Sequence, residues 1–379
     1  MANRQGALEK MVNNSTSVSP TADASTRGRP TPAFWCGKRV LLTGHTGFKG
    51  SWLTLWLHRL GAEVHGIALA PTTQPNLFAC IDVASMSHHH VCDIGDAASL
   101  ATLVRAAAPD VVLHLAAQPL VRASYADPVG TLASNIMGTA HLLEALRRCN
   151  ATRVVLAITT DKVYRNLDEP FPFRETDALG GHDPYSASKA AAEIVIASYR
   201  DCFFKSEGIA VASARAGNVI GGGDWSPERL LPDALRAWQA GQPLVVRRPQ
   251  AVRPWQHVLD PLSGYLLLVE HLWHTPADAG AFNFGPATDE AASVRDVVEL
   301  ARTVYGGGAV EWGDGTGGLH EAGWLALETA KARSLLGVRP HWCLVEAVRR
   351  SVDWYCRLEQ GADARVLCDA DIADFEAGR

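Results

Sequence analysis

Short apolar runs alternate with segments of helical spacing along the first 220 residues. Six runs rich in Val, Ile, Leu and Ala predict buried strands at 39–44, 63–69, 91–94, 110–116, 153–160 and 210–220. Helices are predicted between them, around Trp52, Leu53, Trp56, Leu57 and Leu60 and over 97–108, 131–148 and 185–204. Strands and helices that alternate at short intervals predict an α/β fold with a doubly wound parallel sheet covered on both faces.

The alternation ends near Gly221, and the later chain is richer in Pro, Gly, Trp and Arg. We therefore predict a cofactor-binding domain built around the sheet over 34–220, and residues from about 255–285 are expected to add later elements to the same sheet. Residues 221–365 then form most of a smaller, interleaved lobe. Residues 1–33 are polar and lack the apolar core of a signal peptide, so a disordered extension is expected. Residues 366–379 are expected to form a polar tail.

Composition and charge narrow the classes of protein. The 35 basic and 40 acidic residues give a formal charge of −5, which argues against a nucleic-acid binder. Apolar stretches stay well below the roughly 18 residues of a membrane span, so no membrane partner is expected. The charge balance likewise gives no reason to expect a nucleic-acid partner. The eight scattered cysteines favour free thiols over a disulfide framework or a zinc site, and the chain is expected in the cytoplasm.

Between the first predicted strand and helix lies the sequence GHTGFKG, residues 44–50. Glycines at such a turn let the backbone approach a pyrophosphate, and the helix N-terminus supplies N–H donors. We predict that this Rossmann-type turn binds a dinucleotide. The expected cofactor contacts are Gly44, Thr46, Gly47, Phe48, Lys49 and Gly50 in the turn, and Asp93, Ile94, Leu115, Ala116, Ala117 and Gln118 at later strand ends.

The end of the second strand bears on the choice of dinucleotide. The acidic residue that usually holds the adenosine ribose is absent at Ala68–Pro71, and no Arg or Lys stands there for a 2′-phosphate. NAD is therefore favoured over NADP. Asp93 is left with two interpretations, an adenine contact or a carboxylate satisfied within its own loop.

Tyr185 and Lys189 are four residues apart on a predicted helix, so they share a face. A nearby ammonium lowers the pKa of a phenol, which allows a tyrosinate to take a proton from a substrate hydroxyl. We predict that both residues are catalytic and also contact the cofactor.

Thr160, Asp161 and Lys162 follow the fifth predicted strand, at the edge where ligands bind in doubly wound sheets. An acid next to a base suits the elimination of water, because one can protonate a leaving hydroxyl while the other takes a carbon-bound proton. An ordinary ion pair on a loop is the alternative that residue types alone leave open.

Metal binding is not expected. His88, His89 and His90 lie close to Cys92 and Asp93, but adjacent residues of a strand point to opposite faces and cannot all converge on one ion. The eleven tryptophans are interpreted as packing residues rather than as a stacking platform for nucleic acid.

Seven segments together resemble one enzyme family. They are TGHTGFKGSWLTLWL (43–57), LHLAAQPLVRASY (113–125), TTDKVY (159–164), DPYSASKAAAE (183–193), RAGNVIGGGDW (215–225), RPWQHVLDPLSGY (253–265) and FNFGP (282–286). The chain resembles the CDP-glucose 4,6-dehydratases, which are NAD-dependent nucleotide-sugar dehydratases of the extended short-chain dehydrogenase/reductase superfamily. Dehydratases acting on dTDP- or GDP-sugars carry Glu where Lys162 stands, and the superfamily's 4-epimerases lack the acid–base pair.

The resemblance implies a redox-neutral cycle that feeds deoxysugar and cell-surface polysaccharide synthesis. Tyr185 takes the proton of the sugar 4-hydroxyl as hydride passes from C4 to NAD, and Thr160 hydrogen-bonds the 4-oxygen. Lys162 or a water then takes the C5 proton, Asp161 protonates the departing 6-hydroxyl, and hydride returns to C6. The implied product is CDP-4-dehydro-6-deoxy-glucose.

The resemblance also suggests substrate contacts and an oligomer. The implied substrate residues are Gln118, Arg122, Tyr125, Asn218, Arg229, Arg247, Arg253 and Glu321. Pairing through helices 131–148 and 185–204 implies a homodimer or homotetramer. The alternatives are another nucleotide-sugar dehydratase or epimerase on the same scaffold, and a cofactor-sensing regulator that has lost its chemistry.

Overall fold

The computed structural model describes residues 28–315 and 322–378. Its strands are β1 (Arg39–Thr43), β2 (Glu63–Ala68), β3 (His88–Val91), β4 (Val111–His114), β5 (Val154–Ile158), β6 (Ala210–Ala216), β7 (Val219–Ile220), β8 (Leu244–Val246), β9 (Val252–Arg253), β10 (Gln256–His257), β11 (Ala281–Phe284), β12 (Ala292–Ser293) and β13 (Val310–Trp312). Its α-helices are α1 (Pro32–Trp35), α2 (Phe48–Arg59), α3 (Leu77–Cys80), α4 (Ala97–Ala107), α5 (Val121–Ala126), α6 (Pro128–Leu132), α7 (Gly138–Leu146), α8 (Pro184–Tyr199), α9 (Leu230–Gln239), α10 (Leu259–His274), α11 (Val294–Tyr305), α12 (Ala330–Leu336), α13 (Leu344–Glu359) and α14 (Ala364–Ala377).

Seven parallel strands form the central sheet, in the order β11-β6-β5-β4-β1-β2-β3. Every residue of β4, β5 and β6 is buried, because helices cover both faces of the sheet. The predicted α/β doubly wound fold is confirmed. β3 begins three residues before the predicted strand 91–94. It is the edge strand of the sheet and need not be buried, so its sequence HHHV is polar and does not show the apolar pattern from which strands were predicted.

Two apolar cores flank the sheet. One lies under α2 and α10 and extends into the lobe, and the other lies under α4, α7 and α8. α2 is buried on nearly all sides because the later chain covers it. The indole of Trp52 donates to the carbonyl of Gly222 at 2.9 Å, and that of Trp56 donates to the carboxylate of Glu376 at 2.8 Å.

The two long helices predicted beside the sheet each contain a π-helical turn. The first runs from α6 through Ala133–Met137 into α7, and the second runs from α8 into Arg200–Phe204. The Asp127 side chain accepts from the amide of Gly130 at 2.9 Å and starts the first helix three residues before the predicted 131.

The chain after β6 builds a smaller lobe from short strand pairs, β7 with β10, β8 with β13, and β9 with β12. β11 leaves this lobe and joins the central sheet beside β6. The lobe and the sheet are therefore interleaved along the chain.

Both ends of the described chain are more ordered than the sequence suggests. The amide of Thr31 and the indole of Trp35 donate to the same Glu270 oxygen, each at 2.7 Å, while residues 1–27 of the predicted extension lie outside the described residues. The predicted polar tail 366–379 is instead largely helix α14. It buries Leu367, Cys368, Ile372 and Phe375. Its polar residues pair with the body of the protein, since Arg59 contacts Asp369 at 2.8 Å and Arg350 contacts Asp371 at 3.0 Å.

The eight cysteines all lie in the described part of the chain and are free thiols. Cys149 and Cys368 are buried, whereas Cys36, Cys202 and Cys343 are exposed. Among the described helices, none combines the length and the apolar character needed to cross a bilayer.

Candidate active site

A cavity of ≈ 1080 Å³ opens at the carboxyl ends of the parallel strands, against the smaller lobe. It lies at the boundary between the paired strands β1 and β4, where the strand order reverses, which is the point at which doubly wound sheets bind ligands. All the predicted catalytic and cofactor residues line it: Gly44, Thr46, Gly47, Phe48, Lys49, Gly50, Asp93, Ile94, Leu115, Ala116, Ala117, Gln118, Thr160, Asp161, Lys162, Tyr185 and Lys189.

The glycine turn connects β1 to α2. Gly44 has φ +77°, and a Cβ placed there would lie 2.7 Å from the backbone nitrogen of Ala116. A Cβ at Gly50 would overlap the carbonyl oxygen of Gly44, so glycine is needed for α2 to approach the turn. Gly47 precedes α2 without a side-chain cap, which leaves the first amides of the helix available to an anion.

The residues after β2 and β3 form the other end of the cavity. Ala68, Leu69, Ala70 and Pro71 line it without an ionisable group. Asp93 also lines it, and its Oδ1 accepts from the amide of Gly95 at 2.7 Å. One carboxylate oxygen of Asp93 is thus used within its own loop, which supports the second of the two interpretations.

Tyr185 and Lys189 lie on the first two turns of α8, which begins with the Asp183 side chain accepting from the amide of Ser186 at 2.9 Å. Burial raises the pKa of Tyr185 to about 12, while Arg229 and a hydrogen bond with Thr160 lower it. Burial lowers the pKa of Lys189 to about 8, and its ammonium donates to the carbonyl of Ile158 at 3.2 Å. The charge of Arg229 thus opposes the effect of burial on the Tyr185 pKa, and Lys189 lies one turn further along the same helix.

Thr160 and Asp161 follow β5 directly. The Thr160 hydroxyl donates to Oδ1 of Asp161 at 2.9 Å, and both residues are buried. Asp161 is 1% exposed, and within the described residues its Oδ2 has no hydrogen-bond partner. A buried carboxylate oxygen without a donor is costly. Asp161 nevertheless belongs to the wall of the cavity, next to Thr160 and Lys162.

Lys162 projects toward the same wall. Its Nζ lies 3.8 Å from Oδ1 of Asp161, and its side chain is 31% exposed. Gly217 packs against the acid, since a Cβ there would come within 3.0 Å of Oδ2. The structure thus brings an acid and a base beside Tyr185, as the sequence predicted.

Lys49 follows the glycine turn on the first turn of α2 and lines the cavity. Its Nζ is 5.8 Å from the centre of the Tyr265 ring. Burial lowers the pKa of Lys49 to about 8, with further lowering by Lys189 and Arg229 and an opposing effect of Asp161. The sequence analysis therefore missed that Lys49 adds a third cation near Asp161.

The lobe contributes further cations to the cavity wall. Arg229 precedes α9, Arg253 is buried in β9, and Arg247 and Asn218 also line the cavity. The Arg253 guanidinium donates to the carbonyls of Val252 at 2.8 Å and Ala322 at 2.6 Å, which fixes its position.

The other predicted substrate residues either make contacts within the protein or do not line the described cavity. The Gln118 side chain donates to the Thr131 hydroxyl at 2.8 Å and accepts from the amide of Leu120 at 2.6 Å, so it shapes the loop at the cavity edge. Arg122 pairs with Glu228 at 3.3 Å across the opening of the cavity. Tyr125 does not line the described cavity, because it lies at the exposed end of α5. Glu321 lies outside the described residues.

Glu193 is a functional neighbour that the sequence analysis did not single out. Its carboxylate accepts from Thr159 at 2.5 Å, from Ser213 at 2.7 Å and from Arg215, whose Nε and Nη2 lie at 3.0 and 2.7 Å. It anchors α8 to β6 and to the end of β5, two residues before Asp161. Its signal was the spacing, since Tyr185, Lys189 and Glu193 recur every four residues on one helix face.

The cavity fits a dinucleotide on its own geometry. The glycine turn has no room for a Cβ at Gly44, which allows close approach of a ligand. The first amides of α2 have no side-chain cap and are available to a pyrophosphate. The residues after β2 carry no charge that would pair with a 2′-phosphate.

Comparison with known proteins places the chain among nucleotide-sugar 4,6-dehydratases. The family model described as GDP-mannose 4,6 dehydratase matches residues 41–348. A CDP-glucose 4,6-dehydratase of Salmonella typhimurium strain LT2 is 43% identical over 348 residues, which cover 90% of this chain and 97% of the relative. A dTDP-glucose 4,6-dehydratase of the same organism is 26% identical over 342 residues, which cover 84% of this chain and 92% of the relative.

Solved structures share the fold at lower sequence identity. A UDP-glucose 4-epimerase of Stenotrophomonas maltophila, solved with NAD and formylated UDP-arabinopyranose, superposes with a TM-score of 0.75 at 22% identity and covers 86% of this chain and 100% of its own. A dTDP-glucose 4,6-dehydratase of Bacillus anthracis in complex with NAD gives 0.70 at 22% identity, over 85% of this chain and 97% of its own. With the predicted resemblance confirmed, the chain belongs to the GDP-mannose 4,6-dehydratase family.

Proposed function

We propose that this protein is an NAD-dependent hydro-lyase that converts CDP-D-glucose to CDP-4-dehydro-6-deoxy-D-glucose and water. The observation that carries the proposal is the pair Asp161 and Lys162 beside Tyr185 in one cavity. A 4-epimerase expels no water and has no use for such a pair. The 43% identity with a CDP-glucose 4,6-dehydratase supports the choice of CDP-glucose.

NAD would lie with its pyrophosphate against the amides of the glycine turn and its nicotinamide end near Tyr185 and Lys189. When bound, it supplies a hydride acceptor for C4 of the sugar and a hydride donor for C6. The protein binds and orients both ligands so that the two carbons are presented to the same face of one cofactor.

The first task of the side chains is to remove the proton of the 4-hydroxyl. Tyr185 takes it, and Arg229 stabilises the phenolate by its charge. The hydrogen bond between Thr160 and Tyr185 places a second hydroxyl at the same point, where it can hold the 4-oxygen.

The second task is the elimination of water. The C4 ketone acidifies the C5–H, and Lys162 takes that proton while the C6–O6 bond breaks, so that the C5–C6 double bond forms. Asp161 in its protonated form gives its proton to the departing 6-hydroxyl, which leaves as water. Hydride then returns to C6, and Lys162 returns its proton to C5. The proton that Tyr185 took from the 4-hydroxyl replaces the one that Asp161 gave up, so atoms and electrons balance over the cycle.

The cations of the wall suit a doubly negative sugar nucleotide. Arg229, Arg247 and Arg253 face the cavity from the lobe, and guanidinium groups pair with diphosphate oxygens in two-pronged geometry. Asn218 lies beside them and can donate to the same group. The formal charge of −5 thus coexists with a cationic cavity.

The test of the reaction is direct. Purified protein is incubated with NAD and CDP-glucose, and the 4-keto product is measured by its absorbance in alkali and by mass. GDP-mannose, dTDP-glucose and UDP-glucose are run in parallel. Product from CDP-glucose at the highest kcat/KM supports the proposal, whereas product only from another nucleotide sugar refutes the substrate, and 4-epimerised product refutes the reaction.

The role of Lys162 is tested by Lys162→Ala. We expect the variant to exchange hydride between C4 and the cofactor but to lose dehydration by about 10²–10⁴-fold, because the C5 proton has no base. The measurements are NADH absorbance in a single turnover and release of water from the 6-position. Dehydration at the wild-type rate would assign the base to a water instead.

We also propose a homodimer formed through α6, α7 and α8, in a cytoplasmic enzyme of deoxysugar synthesis. Large apolar side chains on these helices are exposed, namely Val129, Leu132, Met137, Ile194 and Phe203. Exposed apolar helix faces of this kind mark protein–protein contacts. Light scattering should give a dimer or a tetramer for the wild type and smaller species for Val129→Asp with Ile194→Asp; a monomeric wild type would exclude this interface.

A further inference from the structure

Three side chains with metal-binding atoms converge on strands β2 and β3. They are Glu63 and His65 on β2 and His88 on β3. His65 and His88 are register partners, and their rings stack with centroids 4.6 Å apart. Glu63 and His65 are two residues apart and therefore share that face of the sheet. His89 points to the other face, where its Nδ1 lies 2.6 Å from Nε2 of His45.

The distances match those of ligands around one ion. Oε1 of Glu63 lies 3.1 Å from Nε2 of His65 and 3.3 Å from Nε2 of His88. Two ligand atoms about 2.0–2.1 Å from a tetrahedral ion are about 3.3 Å apart. Each histidine nitrogen is therefore already at the spacing from the carboxylate oxygen that a shared metal requires, before any rearrangement.

The residue types of the cluster also suit a metal ion. Two imidazoles and one carboxylate are a ligand set that zinc and related divalent ions accept, with a water in the fourth position.

We propose that Glu63, His65 and His88 form a binding site for one divalent transition-metal ion such as Zn²⁺. The site lies near the amino ends of β2 and β3, whereas the cavity lies at the carboxyl ends of the strands. Because β3 is the edge strand of the sheet, the ion would link that edge to its neighbour. It would stabilise the fold by binding the native state and would take no part in dehydration.

Binding is tested on the full chain without an affinity tag, after treatment with a chelator. Co²⁺ is titrated and the visible absorption of a tetrahedral complex is followed, then Zn²⁺ is added to displace it. We expect one saturable site per chain and a higher melting temperature with Zn²⁺. A wild type that binds no metal stoichiometrically would overturn the proposal.

Two single substitutions locate the site. His88→Ala removes one ligand, and its side chain is 60% exposed, so folding without metal should be unaffected. We expect this variant to lose saturable Co²⁺ binding and the Zn²⁺-dependent melting shift. His90→Ala is the matched control, because His90 is exposed on the same face but lies outside the cluster. Equal binding by His88→Ala and wild type, or equal loss in His90→Ala, would refute the assignment.

Discussion

Two buried carboxylates near the carboxyl ends of the strands have opposite surroundings. Glu193 receives hydrogen bonds from Thr159, Ser213 and Arg215, and Arg215 itself donates to Tyr164 at 2.9 Å. Asp161 receives one hydrogen bond, from Thr160, and its other oxygen has no partner in the described chain. A satisfied acid holds a structure together, whereas an unsatisfied acid on a cavity wall is kept for a ligand at a cost in stability.

The largest expected effect comes from Asp161→Asn. This change keeps the shape of the side chain but removes the proton donor for the departing hydroxyl. We expect dehydration to fall by about 10²–10⁴-fold, because the proton donor is lost, and the free energy of unfolding to stay the same or rise, because the Oδ2 that is replaced has no hydrogen-bond partner in the described chain. Product formation and urea denaturation measure the two quantities.

The matched control is Asp289→Asn, an exposed aspartate in a short turn. It should leave both quantities unchanged. If Asp161→Asn dehydrates the substrate normally, Asp161 is not the acid and its unpartnered oxygen needs another explanation.

For Glu193→Ala, in contrast, we expect the main effect on the free energy of unfolding. The change leaves the Arg215 guanidinium buried without its carboxylate, which should lower the free energy of unfolding by about 3–5 kcal/mol. Urea denaturation measures it. Glu299→Ala, which breaks the surface pair with Arg302, should cost less than about 1 kcal/mol. Equal losses in the two variants would mean that the buried network contributes no more than a surface pair.

The smallest effect concerns the two enclosed lysines, Lys49 and Lys189, and it depends on pH. Both have a pKa of about 8 in the fold against an ordinary value of 10.5. Between pH 8 and 10.5 the unfolded chain keeps protons that the folded chain has lost, so these lysines make stability rise with pH in that window.

Lys49→Met should therefore raise the free energy of unfolding at pH 7 by about 1–3 kcal/mol, and the gain should shrink toward pH 10. Denaturation of both proteins at pH 7 and pH 9.5 measures this difference. A gain that is constant with pH would show that Lys49 is not charged at a cost in the folded protein.

The comparison of the two acids also shows where sequence patterns suffice. The GHTGFKG turn, the Tyr185 and Lys189 pair and the Thr160–Lys162 triplet were predicted because each is local, with its meaning set by spacing on one strand or helix. The bounds of β3 differ from the prediction because this polar edge strand is held by its pairing with β2. The predicted tail is the helix α14 because its residues pack and pair with distant partners such as Arg59 and Arg350.

Local sequence patterns predict the doubly wound sheet, the cofactor turn and a candidate acid, base and tyrosine, because apolar period and motif spacing are local properties. The proximity of Arg229 to Tyr185 and of Lys49 to Asp161 is visible only in the folded structure. It alone showed that Glu193 is satisfied while Asp161 is not. Charge interactions and burial depend on through-space distances between remote segments, which no linear pattern encodes.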